Sequence, residues 1–267
     1  MTAPTLTSFA APRGGAQGPS GGQAGLATRE AYVLRLADTC LIWSHRLSEW
    51  CGHAPVLEED IALANTALDL LGQARALLSL VGDEDRLAYL RDEREFVNVT
   101  LAELPRGDFA FTVLRNFLLS SWALLMWQHL IASRDEALAA VAGKAVKEAR
   151  YHREHAADWV IRLGDGTEES SQRMQAALER AWPYTNELFD ADEVDRAASE
   201  SGLGPAWSAL REAWLADVEA VLAEATLPLP PKSGFRSDGK RGRHSEHMGH
   251  LLAEMQVLQR TYPGGVW

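Results

Sequence analysis

The sequence predicts an all-α protein, a four-helix bundle with additional helices at its C-terminal end. Apolar residues recur at spacings of three and four along most of the 267 residues, which is the pattern of amphipathic helices. No segment alternates with the two-residue period of a strand. Proline and glycine cluster in only two places, the N-terminal segment and the segment 227–242. We therefore expect long, uninterrupted helices with one extended loop near the C-terminus.

The first two helices are predicted from their apolar stripes. The first runs from Arg29 to near Gly52 and carries the stripe Leu36, Cys40, Trp43, Leu47 and Trp50. The second runs from about Leu57 to Val81 and carries the stripe Ile61, Ala64, Leu68, Leu71 and Leu78. We expect both stripes to face the core of the bundle.

The remaining helices follow from stop signals and N-caps. Asp108 is a predicted N-cap, and Gly164-Asp165-Gly166 is a predicted helix end. The predicted helices are Glu84–Glu103, Asp108–Asp135, Asp135–Leu163, Glu168–Phe189, Asp192–Glu200, Ala206–Ala225 and Ser245–Tyr262. Four of these helices would form the bundle. They are the first helix, the second helix, Asp108–Asp135 and Asp135–Leu163.

Composition and length exclude several classes of protein. Residues 1–28 are rich in Gly, Pro, Ala and Ser and lack a signal-peptide pattern, so we expect a flexible tail ahead of one domain spanning 29–267 in a cytoplasmic protein. The net charge of -11 would repel a phosphate backbone, which argues against nucleic acid as a partner. The apolar segment 117–127 is half the length that a membrane span needs, so we expect a buried helix and no membrane.

A ferritin-like bundle that holds a di-iron centre needs a Glu from each of two helices and a Glu-x-x-His pair from each of the other two. The segment between Asp108 and Asp135 contains no carboxylate at all. The other candidate positions hold Glu49 on the first helix, Asp69 and Gly72 on the second, and Glu148, Tyr151 and His152 on the fifth. Both histidine positions of the Glu-x-x-His pattern are therefore filled by other residues.

These positions predict a degenerate metal site. We expect Asp69 to form a hydrogen bond or ion pair inside the bundle, because glycine at position 72 has no side chain to donate. We expect Glu148 and His152 to join a buried polar network with neighbouring helices. A single metal ion near Glu148 remains an alternative, since His and Glu four residues apart ligate metals in other folds.

The C-terminal loop is locally basic in an acidic chain. One acid, Asp238, offsets five basic residues to give a net charge of +4: Lys232, Arg236, Lys240, Arg241 and Arg243. Such a loop is expected either to contact an acidic surface or the phosphates of a nucleotide-bearing substrate, or simply to be solvated. The histidines that follow are His244, His247 and His250. Residues at this spacing point in increasingly different directions around a helix, so the three side chains are not expected to meet at one metal ion. We expect interface or capping contacts instead.

Four separated strings closely resemble the PaaC family, the C subunits of the bacterial phenylacetyl-CoA epoxidase: LSEWCGHAPVLEEDIALANTALDLLGQAR, KEARYHREH, ELFDADEVD and GRHSEHMGHLLAEMQVLQR. The resemblance runs from about Tyr32 to Trp267. It implies a ferritin-like structural subunit with a degenerate metal site and no cofactor of its own. It also implies a homologous catalytic A subunit that holds the di-iron centre and epoxidises phenylacetyl-CoA with O2 and electrons from a reductase.

Two alternatives to a purely structural role stay open at this point. The chain could be an independent metalloenzyme with an altered site built from Glu49, Asp69, Glu148 and His152. It could also be a scaffold whose basic loop and first two C-terminal histidines contact the CoA moiety or the partner subunit.

Overall fold

The computed structural model describes residues 21–265, and the regular secondary structure of these residues is helical. Short 3-10 helices occur at Glu93–Glu95, Trp182–Leu188, Trp207–Leu210 and Gly239–Arg241. The α-helices of the described residues are α1 Gly21–Ser48, α2 Leu57–Leu78, α3 Glu84–Tyr89, α4 Thr100–Glu103, α5 Phe109–Leu130, α6 Glu136–Gly164, α7 Glu168–Ala181, α8 Glu193–Ser201, α9 Arg211–Glu224 and α10 His247–Thr261.

Helices α1, α2, α5 and α6 form a ferritin-like four-helix bundle, as predicted. Helix α1 packs along α2 and α5 packs along α6, while α2 also meets α6. Trp43 of α1 and Trp50 in the turn after α1 bind polar groups of α5, since the indole of Trp43 donates to Asn116 at 2.8 Å and that of Trp50 donates to Thr112 at 2.9 Å. The shorter helices α7 and α9 pack on α5 and α6, so the C-terminal half covers one side of the bundle.

Helix α5 is the core helix of the molecule. Most of its residues are buried, although its length and composition alone would allow it to cross a membrane. The side chain of Asp108 accepts a hydrogen bond from the backbone of Phe111 and so caps the helix, as predicted. Asp135 caps α6 in the same way through the backbone of Leu138. The prediction that this apolar segment is a buried helix is confirmed.

The predicted helix Glu84–Glu103 is wrong. Helix α3 ends at Tyr89, and the backbone of Phe96 is extended before α4 begins at Thr100. The reason is that backbone groups here bind side chains of other elements. The backbone N–H of Val97 donates to Asp38, and the carbonyl of Phe96 accepts from His244. These tertiary bonds replace the hydrogen bonds of a continuous helix.

Other predicted boundaries shift by a few residues. Helix α1 begins at Gly21, eight residues before the predicted start. Residues 1–20 lie outside the described residues, so the predicted flexibility of that part of the tail stays a prediction. The predicted helix Glu168–Phe189 corresponds to α7. Helix α7 ends at Ala181, because Pro183 follows and the chain continues as a 3-10 helix.

The predicted core face of α2 is also wrong. The buried apolar residues are Leu63, Ala67, Leu70, Ala74, Leu77 and Leu78. Of the predicted stripe only Leu78 is buried, whereas Ile61 is 53% exposed and Leu68 is 63% exposed. Helix α2 carries apolar residues on two faces, and spacing alone does not reveal which face packs against the bundle.

Candidate functional site

The positions that would hold a di-iron centre are occupied by a polar network between α1, α2 and α6. The amide of Gln73 on α2 donates to Glu148 on α6 at 2.9 Å. The thiol of Cys40 on α1 lies 3.6 Å from the carbonyl oxygen of the same Gln73. Three helices are therefore joined through one buried glutamine.

Two histidines of α6 extend this network to the outer part of α2. His152 Nε2 lies 3.0 Å from Asp69 Oδ2, and His155 Nε2 lies 3.1 Å from Glu59 Oε2. Burial lowers the pKa of His152, and the neighbouring Asp69 offsets only part of that effect. A neutral imidazole then donates its Nε2 proton to the Asp69 carboxylate. The predictions for Asp69, Glu148 and His152 as hydrogen-bonded partners are confirmed.

Cys40 is a protonated thiol in this setting. Burial, together with a smaller effect of the negative charge of Glu148, raises the pKa of the thiol to about 12. The thiolate is the form that acts as a nucleophile or metal ligand. At neutral pH Cys40 therefore acts as a weak hydrogen-bond donor to Gln73.

Glu49, Gly72 and Tyr151 do not join the network through hydrogen bonds. Glu49 lies in the turn just after α1, and its carboxylate binds Arg46 of α1 at 2.6 Å. Gly72 lies on the exposed side of α2. Tyr151 is 55% exposed and stacks on the ring of His155, with 6.0 Å between ring centroids. Glu49 therefore lies outside the candidate site, contrary to the grouping that the sequence suggested.

The donor set does not fit a di-iron centre. No group of three or more His, Cys, Asp or Glu side chains in the described residues is placed to hold a metal ion. The carboxylates that face the bundle are already engaged, Glu148 by Gln73 and Asp69 by His152. Helix α5, which would supply a carboxylate ligand, contributes none. What the network does is cross-link α2 to α6 and α1.

Lys240 of the basic loop is part of the protein interior. Its side chain is 5% exposed, binds Asp195 at 3.1 Å and lies 4.4 Å above the ring of Trp207. Asp195 also binds Arg35 of α1 at 3.0 Å. Lys240 therefore anchors the loop to α1 and α8. Its predicted role as a contact for CoA or a partner is wrong, because its ammonium group is not accessible.

His244 is likewise buried and structural. Its side chain is inaccessible, with Nδ1 2.6 Å from Glu103 and Nε2 2.9 Å from the carbonyl of Phe96. Burial by itself lowers the pKa of His244, but the hydrogen bond and charge of Glu103 outweigh burial and raise it. The predicted contact of His244 with a ligand is therefore wrong. His247 is 38% exposed beside Glu246 and remains available at the surface.

The exposed part of the loop is less basic than its sequence suggested. Lys232 is exposed, and three exposed arginines line a cavity of about 560 Å³: Arg236, Arg241 and Arg243. Four acids line the same cavity: Glu187, Asp190, Asp192 and Asp238. Arg241 binds Asp238 at 3.1 Å and Arg236 binds Asp190 at 3.4 Å. The fold thus offsets the local positive charge with acids from another part of the chain.

Comparison with known proteins agrees with this architecture. The sequence profile described as phenylacetic acid catabolic protein matches residues 21–267. The chain belongs to this family. It is 52% identical over 243 residues to the C subunit of 1,2-phenylacetyl-CoA epoxidase from Escherichia coli (strain K12). The match covers 89% of this chain and 98% of that relative.

The family match confirms the resemblance seen in the sequence, but several members of the network were not predicted, among them Gln73 and Glu59. Gln73 and Glu59 lie on α2 four residues after and ten residues before Asp69. Gln73 faces the same direction as Asp69 because residues four apart share a helix face. The four-residue spacing from Asp69 could therefore have predicted that Gln73 joins the network. The contact between Glu59 and His155 depends instead on how α2 crosses α6, which the sequence does not reveal.

Proposed function

We propose that this chain is a non-catalytic, structural subunit of a phenylacetyl-CoA 1,2-epoxidase complex and pairs with the di-iron catalytic subunit. The observation that carries the proposal is the polar network itself. Where a catalytic bundle would hold metal ligands, this chain has side chains that bind each other: Cys40, Gln73 and Glu148 in one chain of contacts, and Asp69 with His152 in another. The name of its relative, a C subunit, supports membership of a complex with several subunits.

A metal-free bundle has a physical role beside a catalytic one. An oxygen-activating centre needs ligands held on a rigid frame and a site closed to bulk water. A bundle of similar shape, cross-linked internally by hydrogen bonds, can cover and stiffen its partner. The di-iron centre, the bound phenylacetyl-CoA and the contact with the reductase then belong to the other subunits, and this chain carries no cofactor. We expect the complex to be cytoplasmic.

A test is to reconstitute epoxidation with the variant pair Glu148→Gln and His152→Asn in this chain. Because neither residue acts on substrate in this account, turnover of the assembled complex should stay within about twofold of wild type. Omitting the chain altogether is the control and should abolish turnover. Gel filtration confirms that the variant complex assembles. An intact variant complex with turnover reduced on the order of 100-fold would contradict the proposal.

A contact with CoA is the second candidate, and the exposed arginines that line the cavity of about 560 Å³ favour it. Arg241 and Arg243 have side chains that are 58% and 80% exposed. The acids in the same cavity already bind these arginines, which reduces their attraction for phosphate. The structural role is therefore the better supported of the two.

A further inference from the structure

Helix α2 presents an apolar stripe to solvent. We define the α2 stripe as Leu57, Ile61, Ala64, Leu68 and Leu71. Leu57 is 72% exposed, Ile61 53% and Leu68 63%, whereas Ala64 and Leu71 are partly buried, so the stripe as a whole packs only partly against the rest of the chain. Single exposed apolar residues are common on soluble proteins, but a continuous row of them marks an interaction surface.

The spacing of the α2 stripe indicates that its occupant is a helix. Its residues follow one another at intervals of four, three, four and three, which is the heptad seam of packed helices. The stripe spans about 21 Å at roughly 1.5 Å per residue. A partner helix of four turns would cover it.

The surroundings of the α2 stripe allow close approach. Ala64 lies at its centre, and a Cβ placed on nearby Gly72 would meet no atom within 4 Å. Beside the stripe lies an apolar cleft of about 260 Å³ between α1 and α2, whose lining includes Ser44 and His45 of α1 and Ala64, Leu68 and Leu71 of α2. The cleft is smaller than the roughly 300–1,000 Å³ typical of ligand pockets, which suits an inserted side chain.

Tyr151 is an exposed aromatic residue of α6, the helix that packs beside α2. Its ring stacks on His155, which in turn contacts Glu59 of α2. The carboxylate of Asp69 on α2 is 40% exposed, although its partner His152 on α6 is 2% exposed. Tyrosine is enriched among the residues that anchor protein interfaces. A partner seated here would complete the burial of the polar network.

We propose that the α2 stripe and Tyr151 form the surface that docks the catalytic subunit of the epoxidase, through an apolar helix with basic flanking residues. This inference rests on the proposed function. Net charge argues against a second copy of this chain as the occupant, because each copy carries -11 and two copies repel each other. Glu58 and Asp60 flank the stripe at its N-terminal end, so a partner with basic residues there would be complementary.

The test compares two pairs of substitutions in the full-length chain. Ile61→Glu with Leu68→Glu places charge on the stripe. Val257→Glu with Leu258→Glu is the matched control on α10, where the two residues are 52% and 49% exposed. Affinity for the purified catalytic subunit is measured by titration calorimetry. We expect the stripe pair to weaken binding on the order of 100-fold or more and the α10 pair to change it less than about threefold.

Each outcome has a distinct meaning. A thermal melt first establishes that both variants are folded, and the milder Leu68→Ala should weaken binding about tenfold. If the stripe pair binds like wild type, the docking surface is elsewhere and the proposal is overturned, while subunit pairing stands. If wild type itself does not bind the catalytic subunit, the proposed function fails. If the stripe pair abolishes self-association of this chain but leaves its affinity for the catalytic subunit unchanged, the occupant is a second copy and the proposal is overturned.

Discussion

At the scale of single residues, His244 shows how a buried side chain can hold distant segments together. Nδ1 faces the Glu103 carboxylate at 2.6 Å and Nε2 faces the Phe96 carbonyl at 2.9 Å. Both partners are acceptors, and only the protonated ring donates from both nitrogens. This geometry agrees with the raised pKa of His244. His244 therefore acts as a cation that ties the segment before α10 to the irregular segment around Phe96.

The protonated state of His244 predicts a pH-dependent stability. The pKa in the folded state is raised above its value of about 6.5 in the unfolded chain. The stabilisation is thus fully present below about pH 6.5 and is lost as the pH rises through the folded-state pKa. His244→Gln should lower the free energy of unfolding by about 1.5–3 kcal/mol at about pH 5.5. The loss should be smaller at about pH 9, because the wild type loses the charge of His244 as the pH rises through the folded-state pKa.

Urea unfolding of wild type and variant at the two pH values measures this difference. His250→Gln is the control, because His250 lies on the exposed side of α10 and its replacement should change stability little at either pH. An equal loss for His244→Gln at both pH values would show that the charge of His244 does not contribute.

At the scale of helices, the space around a glycine shows how closely its helix packs against other elements, and Gly72 and Gly164 differ in this respect. A Cβ on Gly72, in the middle of α2, would meet no atom within 4 Å. Gly72→Ala should therefore raise the free energy of unfolding by about 0.5–1 kcal/mol, because alanine favours the helix. A Cβ on Gly164, at the end of α6, would lie 2.5 Å from the carbonyl oxygen of Ala225 after α9. Gly164→Ala should lower the free energy of unfolding by about 1–3 kcal/mol through overpacking.

Denaturant unfolding of the two single variants measures these opposite effects, and each variant serves as the control for the other. If both substitutions destabilise equally, then Gly72 packs against another element, and the open surface described for α2 is wrong.

The elements also show how much of the fold the sequence could predict. The predicted α1 stripe is buried, as is most of that helix on its other sides, and the cap of α5 at Asp108 was predicted correctly. The predicted core face of α2 was wrong because that helix has two apolar faces. The predicted helix Glu84–Glu103 was wrong because Asp38 and His244 bind its backbone from far away in the chain.

At the scale of the whole molecule, the candidate site was predictable in part. The absence of acids from α5 and the residues Gly72 and Tyr151 predict a degenerate metal site, which stays a prediction, whereas the expected polar network of Glu148 is present in the structure. The partners of Glu148 depend on the crossing of α2 and α6, which a single sequence does not reveal. The accessibility and charge of the basic loop were misjudged for a similar reason. Packing against α8 buries Lys240, and it places acids of the α8 region beside Arg241.

The central claim is that the chemistry of the complex resides in its partner, and elemental analysis tests it most directly. Iron is measured in this chain purified alone from iron-replete cells, and in the complex co-purified with the catalytic subunit. The account predicts an essentially iron-free chain and about two irons per pair of subunits in the complex. One or two metal ions per molecule in the chain alone, lost on replacing Glu148 and His152, would contradict the account.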